Sequence, residues 1–550
     1  MGFIKKHAVK ISISIMIFIL TVLSTYSIII YKGSNTSGNN RIGTQFNGQM
    51  PAGGGPNNSD SNQPSNMQGQ NSPNQQAPNF NQGSDNFSAP QNKDGQRKDN
   101  ERPNGFGMQQ GSSSSSSTKY SPIFIAYSII FFIIFIAVFL LIRYKKTKIS
   151  NESKGIIIAG LIIIGLLLRI YSGLLIDGHP FDIKIYQNWA ASAANNLLKV
   201  YDGNSSVDYP PVYLYVLFVV GKIASVSTLS TYYPLLLKLP SIAADVLSAY
   251  FIYKVGKKHL SIENSLLLAA FYAFNPAVLI NSTIWGQADS LFALFIILAM
   301  YYVSEDKLAK AAIFFAISVL MKPQGIIFLP LLLFVLIKKR SLKSFIQSAA
   351  AGILTAIIIL LPFSVSKGFT WIFNLYIKEV GEYPYASNNA FNFYTLIGAN
   401  HVKDSQTLFI YSYHTWGMLF IVLVTLLSGI IYIKSKDKSA IFIAALVQTV
   451  GVFNFSVGMH ERYMFAAPIL AVFAYVYSKD KRILALSVIF SIIVYLNTHI
   501  VLFEQFKGNN YMTNTFMVIT LSLLNVLSFI YLIKIAMDKF IKNKILNNVT

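Results

Sequence analysis

The sequence predicts an all-α polytopic membrane protein, a bundle of about 14 transmembrane helices with one further helix lying on the external membrane surface. Three observations predict this class. The 550 residues are 53% hydrophobic and only 12% charged, whereas soluble domains are about 25% charged. Apolar runs of about 18 to 24 residues recur, each long enough to cross a bilayer as a helix. The alternation of period two that is typical of an outer-membrane barrel does not occur in the sequence.

The net charge of +22 does not indicate a nucleic-acid partner, because the cations stand in short clusters at the ends of apolar runs. Such clusters fix the loops that carry them in the cytoplasm and place both termini there. The absence of cysteine excludes disulfides, iron–sulfur clusters and thiolate catalysis. The abundance of Ile, Asn and Lys favours a bacterial source, and hence a bacterial plasma membrane. The clusters are Lys5–Lys6, Arg143–Lys146, Lys257–Lys258, Lys338–Arg340, Lys434–Lys438, Lys479–Arg482 and Lys539–Lys544.

Five segments are predicted along the chain. Residues 1–31 form a transmembrane anchor that is retained, since its apolar run is long for a signal peptide and lacks a small-residue cleavage site. Residues 32–119, rich in Asn, Gln, Gly, Ser and Pro, form a disordered external loop because they hold too little apolar surface to offset ordering entropy. Residues 120–150 are a second anchor helix with a cytoplasmic linker, residues 151–480 the main membrane module, and residues 481–550 the C-terminal helices and a basic tail.

Within the module, residues 154–176 run outward and lead into a long external polar loop, 177–210. Two apolar stretches follow before the cytoplasmic Lys257, so one of them does not cross, and the short stretch 211–227, interrupted at Gly221–Lys222, is predicted to be re-entrant or interfacial. The later spans alternate, with a short pair that hinges at "KPQ". They are 233–255, 262–282, 288–304, 308–322, 324–338, 342–364, 412–434, 438–457, 462–478, 482–502 and 513–535.

Six polar clusters share the predicted external ends of these helices. Charged groups at membrane depth are costly and mark a functional site by default. Their convergence from distant parts of the chain is a stronger signal than any one of them. They are "DGHPFD" (177–182), "DYPP" (208–211), "NPAVLINSTIWGQADS" (275–290), "MKPQ" (321–324), "GEYPYASNNAFNFY" (381–394) and "FNFSVGMHERYMF" (453–465).

Asp182 is the first candidate for chemistry. The stripe Asp182, Tyr186, Trp189 and Ala193 keeps helical spacing, which predicts an amphipathic helix on the membrane surface. One interpretation makes Asp182 the N-cap of that helix. The other makes it a general base toward an acceptor hydroxyl, an effect of about 10²- to 10⁴-fold. Asp177 would share or orient that role.

Two cations are candidates for binding an anion. Arg462, in the element "HER", has the planar fork that suits phosphate, although an arginine at a helix end can also reach the membrane interface simply as an anchor. Lys322 stands between two apolar runs beside the helix-breaking Pro323. A lysine there is costly unless it pairs with an anion or reaches water.

Three further sets of polar residues have structural alternatives. Lys238 and Asp245 are seven residues apart, which puts them on one helix face and favours a structural pair. Asp289 stands at a helix end, where capping and a functional role are both open. His179 and His460 have carboxylates nearby, but no metal-ligand spacing occurs, so no metal site is predicted.

At these residues the chain resembles the GT-C superfamily of membrane glycosyltransferases, which use polyprenyl-phosphate sugars. It is most similar to bacterial mannosyltransferases related to the second mannosyltransferase of GPI-anchor synthesis. The resemblance covers roughly residues 154–480 and implies a GT-C-like bundle. It is carried by "HPFDIKIYQNWA", "YPPVYLY", "KLPSIAADVLSAYFIYK", "NPAVLINSTIWGQADSLFALF", "LMKPQGIIFLPLL" and "MHERYMFAAPIL".

The resemblance implies transfer of a hexose, mannose above all, from a polyprenyl-phosphate donor to an acceptor hydroxyl on the extracytoplasmic face, with inversion. It makes Asp182 the catalytic base, with Asp177 beside it. No cofactor is obligatory, and a divalent cation is left open. The partners are the lipid-linked donor, membrane lipids and a glycan, glycolipid or protein acceptor. The expected substrate-binding residues are His460, Glu461, Arg462, Lys322, Gln324, Trp285, Gln287, Asp289, Tyr186, Trp189 and Asn389.

Two other functions remain open. A secondary transporter also has 12 to 14 helices, but its site lies at the membrane midplane on the broken helices of internal repeats. No repeat is visible in this sequence, and the polar clusters lie at one face. A lipid-linked sugar flippase or binding scaffold would use the same pocket without catalysis, so it predicts that Asp182→Asn leaves function intact.

Overall fold

The computed structural model describes residues 2–31, 117–145, 148–202, 207–368 and 370–542. These residues form an all-α polytopic membrane protein, as the sequence predicts. The predicted disordered loop 32–119 lies outside the described residues except for its last three positions, and the end of the basic tail, 543–550, lies outside them as well.

Nine helices in the described ranges have at least 18 residues and are apolar enough to cross a membrane, and five shorter apolar helices accompany them. They correspond to the predicted spans with two differences. The short helix Pro211–Ala224 is among them although 211–227 was predicted not to cross, and the predicted span 324–338 holds only the 11-residue helix Leu329–Lys339, which is not among them. The long ones are Lys10–Ile30, Thr118–Lys145, Glu152–Leu175, Tyr233–His259, Ile262–Trp285, Leu342–Lys367, Tyr413–Lys434, Lys481–Phe506 and Phe516–Phe540. The short ones are Pro211–Ala224, Asp289–Ser304, Leu308–Val319, Ala440–Phe455 and Ala467–Ser478.

The remaining elements connect these helices. The stretch Pro323–Phe328 is a 3₁₀ turn that joins Leu308–Val319 to Leu329–Lys339, so the hinge predicted at "KPQ" is confirmed. The strand Thr407–Leu408 pairs antiparallel with Tyr411–Ser412, with Thr407 opposite Ser412. The other short elements are Leu197–Lys199, Ser227–Ser230, Trp371–Val380, Phe393–Leu396 and Asp538–Lys542.

The centre of the bundle is formed by the helices Ala440–Phe455 and Ala467–Ser478. Nearly all of their residues are buried, and both sequences are apolar on every side. A helix that is apolar all round must be covered all round. The longer helices Leu342–Lys367 and Tyr413–Lys434 bury only a few of their residues and form the periphery.

The first polar loop contains a helix, Pro180–Asn195, that we call the first-loop helix. Pro180 occupies its first turn, where a missing N–H costs nothing. The N-cap is His179, whose ring accepts from the Asp182 backbone N–H. Asp182 is therefore not the N-cap, and its carboxylate is left for other contacts.

The first-loop helix packs closely on the short helix Pro211–Ala224. A Cβ added at Gly221 would lie 2.2 Å from the Ala190 carbonyl oxygen, so only glycine allows this approach. The glycine that interrupts the apolar run thus serves helix packing. The short helix has 14 residues, about 21 Å, less than the roughly 30 Å of a bilayer core.

The helix that precedes the site is broken. Its regular part ends at Ala273, Asn275 caps a short turn, and a π-helical segment runs from Ile280 to Trp285. Segments of this kind are frequent at functional sites because they re-aim side chains. Gly286 ends it with φ +91°, and a Cβ there would collide with Ile183.

Lys238 and Asp245 do not pair with each other, so that prediction is wrong. Asp245 accepts from Arg169 at 2.9 Å, and Lys238 donates to the Gly173 carbonyl at 3.0 Å and to the Ile176 carbonyl at 2.5 Å. Both groups are fully buried. Each charged group binds a closer partner on a neighbouring helix. The spacing of residues along one helix does not show which groups neighbouring helices bring close.

Candidate active site

The Asp182 carboxylate is held by two donors from the broken helix. The Trp285 indole donates to Oδ2 at 2.6 Å and the Gln287 amide donates to the same oxygen at 2.5 Å. His179 Nδ1 lies 3.5 Å from that oxygen as well. Among the described residues no hydrogen bond reaches Oδ1 from another side chain, so one oxygen is anchored and the other remains available to a ligand.

Trp285 connects the carboxylate with a cation. Its ring stacks on His179, with centroids 5.0 Å apart and planes 19° apart. The Arg462 guanidinium lies 5.3 Å from the centroid of the same ring. Such a contact is worth about 0.5 to 2 kcal/mol, more when it is desolvated. Asp182 and Arg462, 280 positions apart in the sequence, therefore contact one indole.

Arg462 is itself paired. Its guanidinium donates to Glu461 at 2.5 Å, but its Nε is buried and has no partner among the described groups. Beside it, the Asn388 amide lies 3.1 Å from His460 Nε2, and the Tyr383 ring packs edge-on against the His460 ring. An unpaired buried donor on a cation favours an anionic ligand.

Lys322 forms a buried ion pair with Asp289, as its position between apolar runs requires. The Asn281 amide donates to the other Asp289 oxygen at 2.9 Å. Asp289 lies in the first turn of its helix but makes no capping hydrogen bond. The interpretation of Asp289 as a helix cap is therefore wrong. The Lys322 ammonium also lies 5.2 Å from the centre of the Tyr209 ring.

Aromatic rings line the site beside these charges. Tyr186 donates to the Gln287 side-chain oxygen at 2.9 Å and lies near Tyr209, Tyr213 and Trp189, with centroids 5.3 to 6.1 Å apart. The Trp189 indole N–H is buried without a partner in the described structure. The same holds for the Gln324 side-chain oxygen. Aromatic walls with unsatisfied polar groups suit a sugar ring with its hydroxyls.

The charges around the site set its protonation. Burial raises the pKa of the Asp182 carboxyl, but His179, Arg462 and the Trp285 hydrogen bond outweigh it, so the pKa lies below its usual range. Burial, reinforced by Arg462, lowers the pKa of His460 well below its ordinary value. At neutral pH the site therefore presents an ionised Asp182 and a neutral His460.

A second group of carboxylates adjoins this site. In the described residues, oxygens of Asp208, Glu379 and Glu382 all lie within 4.8 Å of one another. Burial and the charge of Glu382 raise the pKa of Asp208 to about 7, and burial with Asp208 raises that of Glu379 to about 9. Carboxylates this close cannot all ionise, so the cluster retains a proton at neutral pH unless a cation replaces it.

Two of the predicted residues lie in other surroundings. Asp177 accepts a hydrogen bond from Tyr31, which directly follows the helix Gly2–Ile30. Asn389 has φ +59°, and its side chain donates to the Asn510 carbonyl at 2.9 Å and accepts from the Met512 N–H at 3.1 Å. These contacts order the loop that carries Asn389. A backbone bridge pairs Asn389 with His460.

Four residues near the site were not predicted individually from the sequence: Asp208, Tyr209, Glu379 and Asn388. The cluster "DYPP" was visible, and it holds both Asp208 and Tyr209. Glu379 lies in the helix Trp371–Val380, between the predicted spans 342–364 and 412–434, where no helix was predicted. A search for carboxylates in every external segment could have found it.

Comparison with known proteins points to the same part of the chain. The profile of the family described as GPI transamidase subunit PIG-U matches residues 182–382, a range that begins at Asp182 and includes Trp285, Asp289 and Lys322. Arg462 lies outside it.

Two relatives are mannosyltransferases by name. GPI mannosyltransferase 1 of Kluyveromyces lactis is 28% identical over 142 residues, which cover 26% of this chain and 34% of that protein. GPI mannosyltransferase 1 of Candida albicans is 32% identical over 102 residues, 18% of this chain and 25% of that protein. The chain thus matches about a third or less of their length. The chain is similar to membrane mannosyltransferases of the GPI-anchor pathway. Both relatives are named as the first mannosyltransferase of that pathway, whereas the sequence resemblance was to the second.

Proposed function

We propose that this chain is a mannosyltransferase-like membrane hexosyltransferase. It takes the sugar from a polyprenyl-phosphate donor and transfers it to a hydroxyl of a glycan, glycolipid or protein on the external face of a bacterial plasma membrane. One observation carries the proposal: an ionised carboxylate, Asp182, and a guanidinium, Arg462, contact the same indole, that of Trp285. The similarity to two GPI mannosyltransferases supports the choice of sugar.

The first part of the reaction falls to Asp182. Its Oδ1 accepts the proton of the acceptor hydroxyl while the acceptor oxygen forms a bond to the anomeric carbon of the sugar. The bond from that carbon to the donor phosphate oxygen breaks, with the electron pair leaving on the phosphate, so the anomeric configuration inverts. Trp285 and Gln287 hold Oδ2 and thereby fix the direction of Oδ1.

The cations stabilise the leaving group. Charge grows on the polyprenyl phosphate as the glycosidic bond breaks, and fixed donors in a buried site stabilise such charge without reorganising. Arg462 offers its unpartnered Nε, and neutral His460 can donate one further hydrogen bond. Lys322 is neutralised by Asp289, so it orients groups near the phosphate more than it adds net charge.

The choice of donor is tested directly with the purified chain in liposomes. Labelled mannosyl-polyprenyl phosphate and a nucleotide-linked mannose are supplied separately with membrane lipid extract as acceptor. Labelled product should form only from the lipid-linked donor. The anomeric configuration of the transferred sugar in the product should be the opposite of that in the donor.

Two results would contradict the proposal. Product formed only from the nucleotide-linked sugar would remove the lipid-phosphate donor. Movement of sugar or lipid across the liposome membrane without any labelled product would favour the transporter or flippase. Asp306→Asn serves as a control chain, because Asp306 is an exposed carboxylate at φ +57°, a conformation that asparagine also tolerates.

A further inference from the structure

Two cavities meet at the predicted cytoplasmic ends of several helices. The first, which we call the basic cavity, has a volume of about 350 Å³ and is lined by three cations, Arg143, Lys148 and Lys481. Arg143 lies in the last turn of the helix Ser121–Lys145, Lys148 precedes the helix Asn151–Leu175, and Lys481 begins the helix Lys481–Phe506. The cation clusters predict Arg143 and Lys481 to be cytoplasmic, and Lys148 falls in the predicted cytoplasmic linker, so their meeting in one cavity agrees with that topology.

The second, which we call the apolar cavity, has a volume of about 860 Å³ and shares Ile142 and Glu263 with the basic cavity. It lies between the first two helices of the chain, with further walls from the helix Asn151–Leu175 and the helix that begins at Ile262. Nearly all of its lining is aliphatic or aromatic. In a membrane such a space is filled by hydrocarbon, since water there would find no hydrogen-bond partners.

The apolar cavity is at least as long as one leaflet. Its lining on the helix Asn151–Leu175 runs from Ile157 to Leu168, about 17 Å at 1.5 Å per residue. Half of a bilayer core is about 15 Å. On the helix Ser121–Lys145 the lining runs from Tyr127 to Ile142, about 22 Å. The cavity thus begins at the helix ends that carry the cations and reaches past the predicted midplane on that helix.

The charges are arranged for an anion. Arg143, Lys148 and Lys481 form no salt bridge with any carboxylate in the described part of the chain. One carboxylate, Glu263, also lines the basic cavity and accepts the Ile149 N–H at 2.9 Å. Three cations against one carboxylate leave the lining with a net positive charge. Basic pockets between transmembrane helices on the cytoplasmic side bind anionic lipid head groups.

We infer that these two cavities form one binding site for an anionic phospholipid of the cytoplasmic leaflet. The phosphate lies among Arg143, Lys148 and Lys481, and the acyl chains fill the apolar cavity between the first two helices. The lipid joins those helices to the rest of the bundle at the end opposite Asp182. This inference does not depend on the proposed reaction, so its failure leaves that proposal untouched.

The test uses the purified full-length chain in mixed micelles with equimolar phosphatidylglycerol and phosphatidylcholine. After gel filtration, the lipids that remain bound are extracted and counted by mass spectrometry. The wild type should retain phosphatidylglycerol preferentially at about one molecule per chain. The variant Arg143→Gln, Lys148→Gln, Lys481→Gln should lose that preference by roughly fivefold for each cation removed.

A matched variant controls for net charge. Lys307→Gln, Lys343→Gln, Lys436→Gln removes three exposed cations outside both cavities and should keep the wild-type preference. Equal loss in both triple variants, or equal retention of both lipids by the wild type, would overturn the inference.

Two further measurements keep the inference testable if the triple variant does not fold. Salt screens exposed charges, so the wild-type preference should fall as sodium chloride rises from about 0.1 to about 0.5 M. Leu161→Trp fills the apolar cavity and should reduce retention of both lipids, whereas Leu354→Trp, at a position that is 58% exposed, should not. If neither salt nor Leu161→Trp changed the retention of phosphatidylglycerol, the lipid would bind elsewhere and the inference would be overturned.

Discussion

The ion pair between Lys322 and Asp289 offers a quantitative test of how the site is held together. Their side chains are only 2% and 8% exposed, so water cannot compensate either charge alone. Removing one partner of such a pair costs about 3 to 5 kcal/mol, a factor of about 100 to 4,000 in the ratio of folded to unfolded chain. Lys322→Met keeps most of the side-chain volume and removes only the charge, so this loss should be seen in full.

The assay is a titration of the purified chain with sodium dodecyl sulfate, followed by tryptophan fluorescence. Asp289→Asn and the double variant complete a double-mutant cycle, and the double variant should recover at least about 1 kcal/mol of the summed losses. Lys339→Met is the control, because its pair with Asp306 is 39% and 65% exposed and should contribute less than about 1 kcal/mol. Losses that add within about 0.5 kcal/mol would refute the claim that the two charges depend on each other.

Three further predictions concern protonation and cations. Trp285→Phe removes a hydrogen bond that lowers the pKa of Asp182, so the acid limb of the pH–rate profile should move to higher pH; an unmoved limb would contradict this. The pKa of Asp208 is raised to about 7 in the folded chain, so its carboxyl keeps a proton that it would release on unfolding. The free energy of unfolding should therefore fall as pH rises from about 4 to about 7. Glu382→Gln should therefore stabilise the chain more at pH 8 than at pH 5 in the detergent titration, and equal effects at both would count against it. Transfer should continue in a chelator; loss of activity that Mg²⁺ or Mn²⁺ restores would assign a cation to the carboxylate cluster.

The spans were predictable because the membrane imposes a length and a composition on each helix separately. The runs at 342–364 and 412–434 became Leu342–Lys367 and Tyr413–Lys434. The hinge at Pro323 was equally local, since proline cannot continue a helix. The π-helical segment Ile280–Trp285 was not predicted, since residues 262–282 were expected to form one continuous span.

The residues of the candidate site could be predicted from the sequence better than the contacts among them. Asp182, Trp285, Lys322 and Arg462 all came from polar clusters at predicted helix ends, and the structure brings them together. Which of them pair was not predictable, since Lys322 meets Asp289 from another segment of the chain. Pairing depends on how the helices are packed, and the spacing of residues along one helix carries no information on that.

The central claim is that the Asp182 carboxylate takes part in bond making, and single-turnover transfer by Asp182→Asn tests it most directly. The account predicts that the folded variant binds the polyprenyl-phosphate sugar within about threefold of the wild type but transfers it about 10²- to 10⁴-fold more slowly, while Asp306→Asn transfers at the wild-type rate. Transfer by folded Asp182→Asn at the wild-type rate would contradict it.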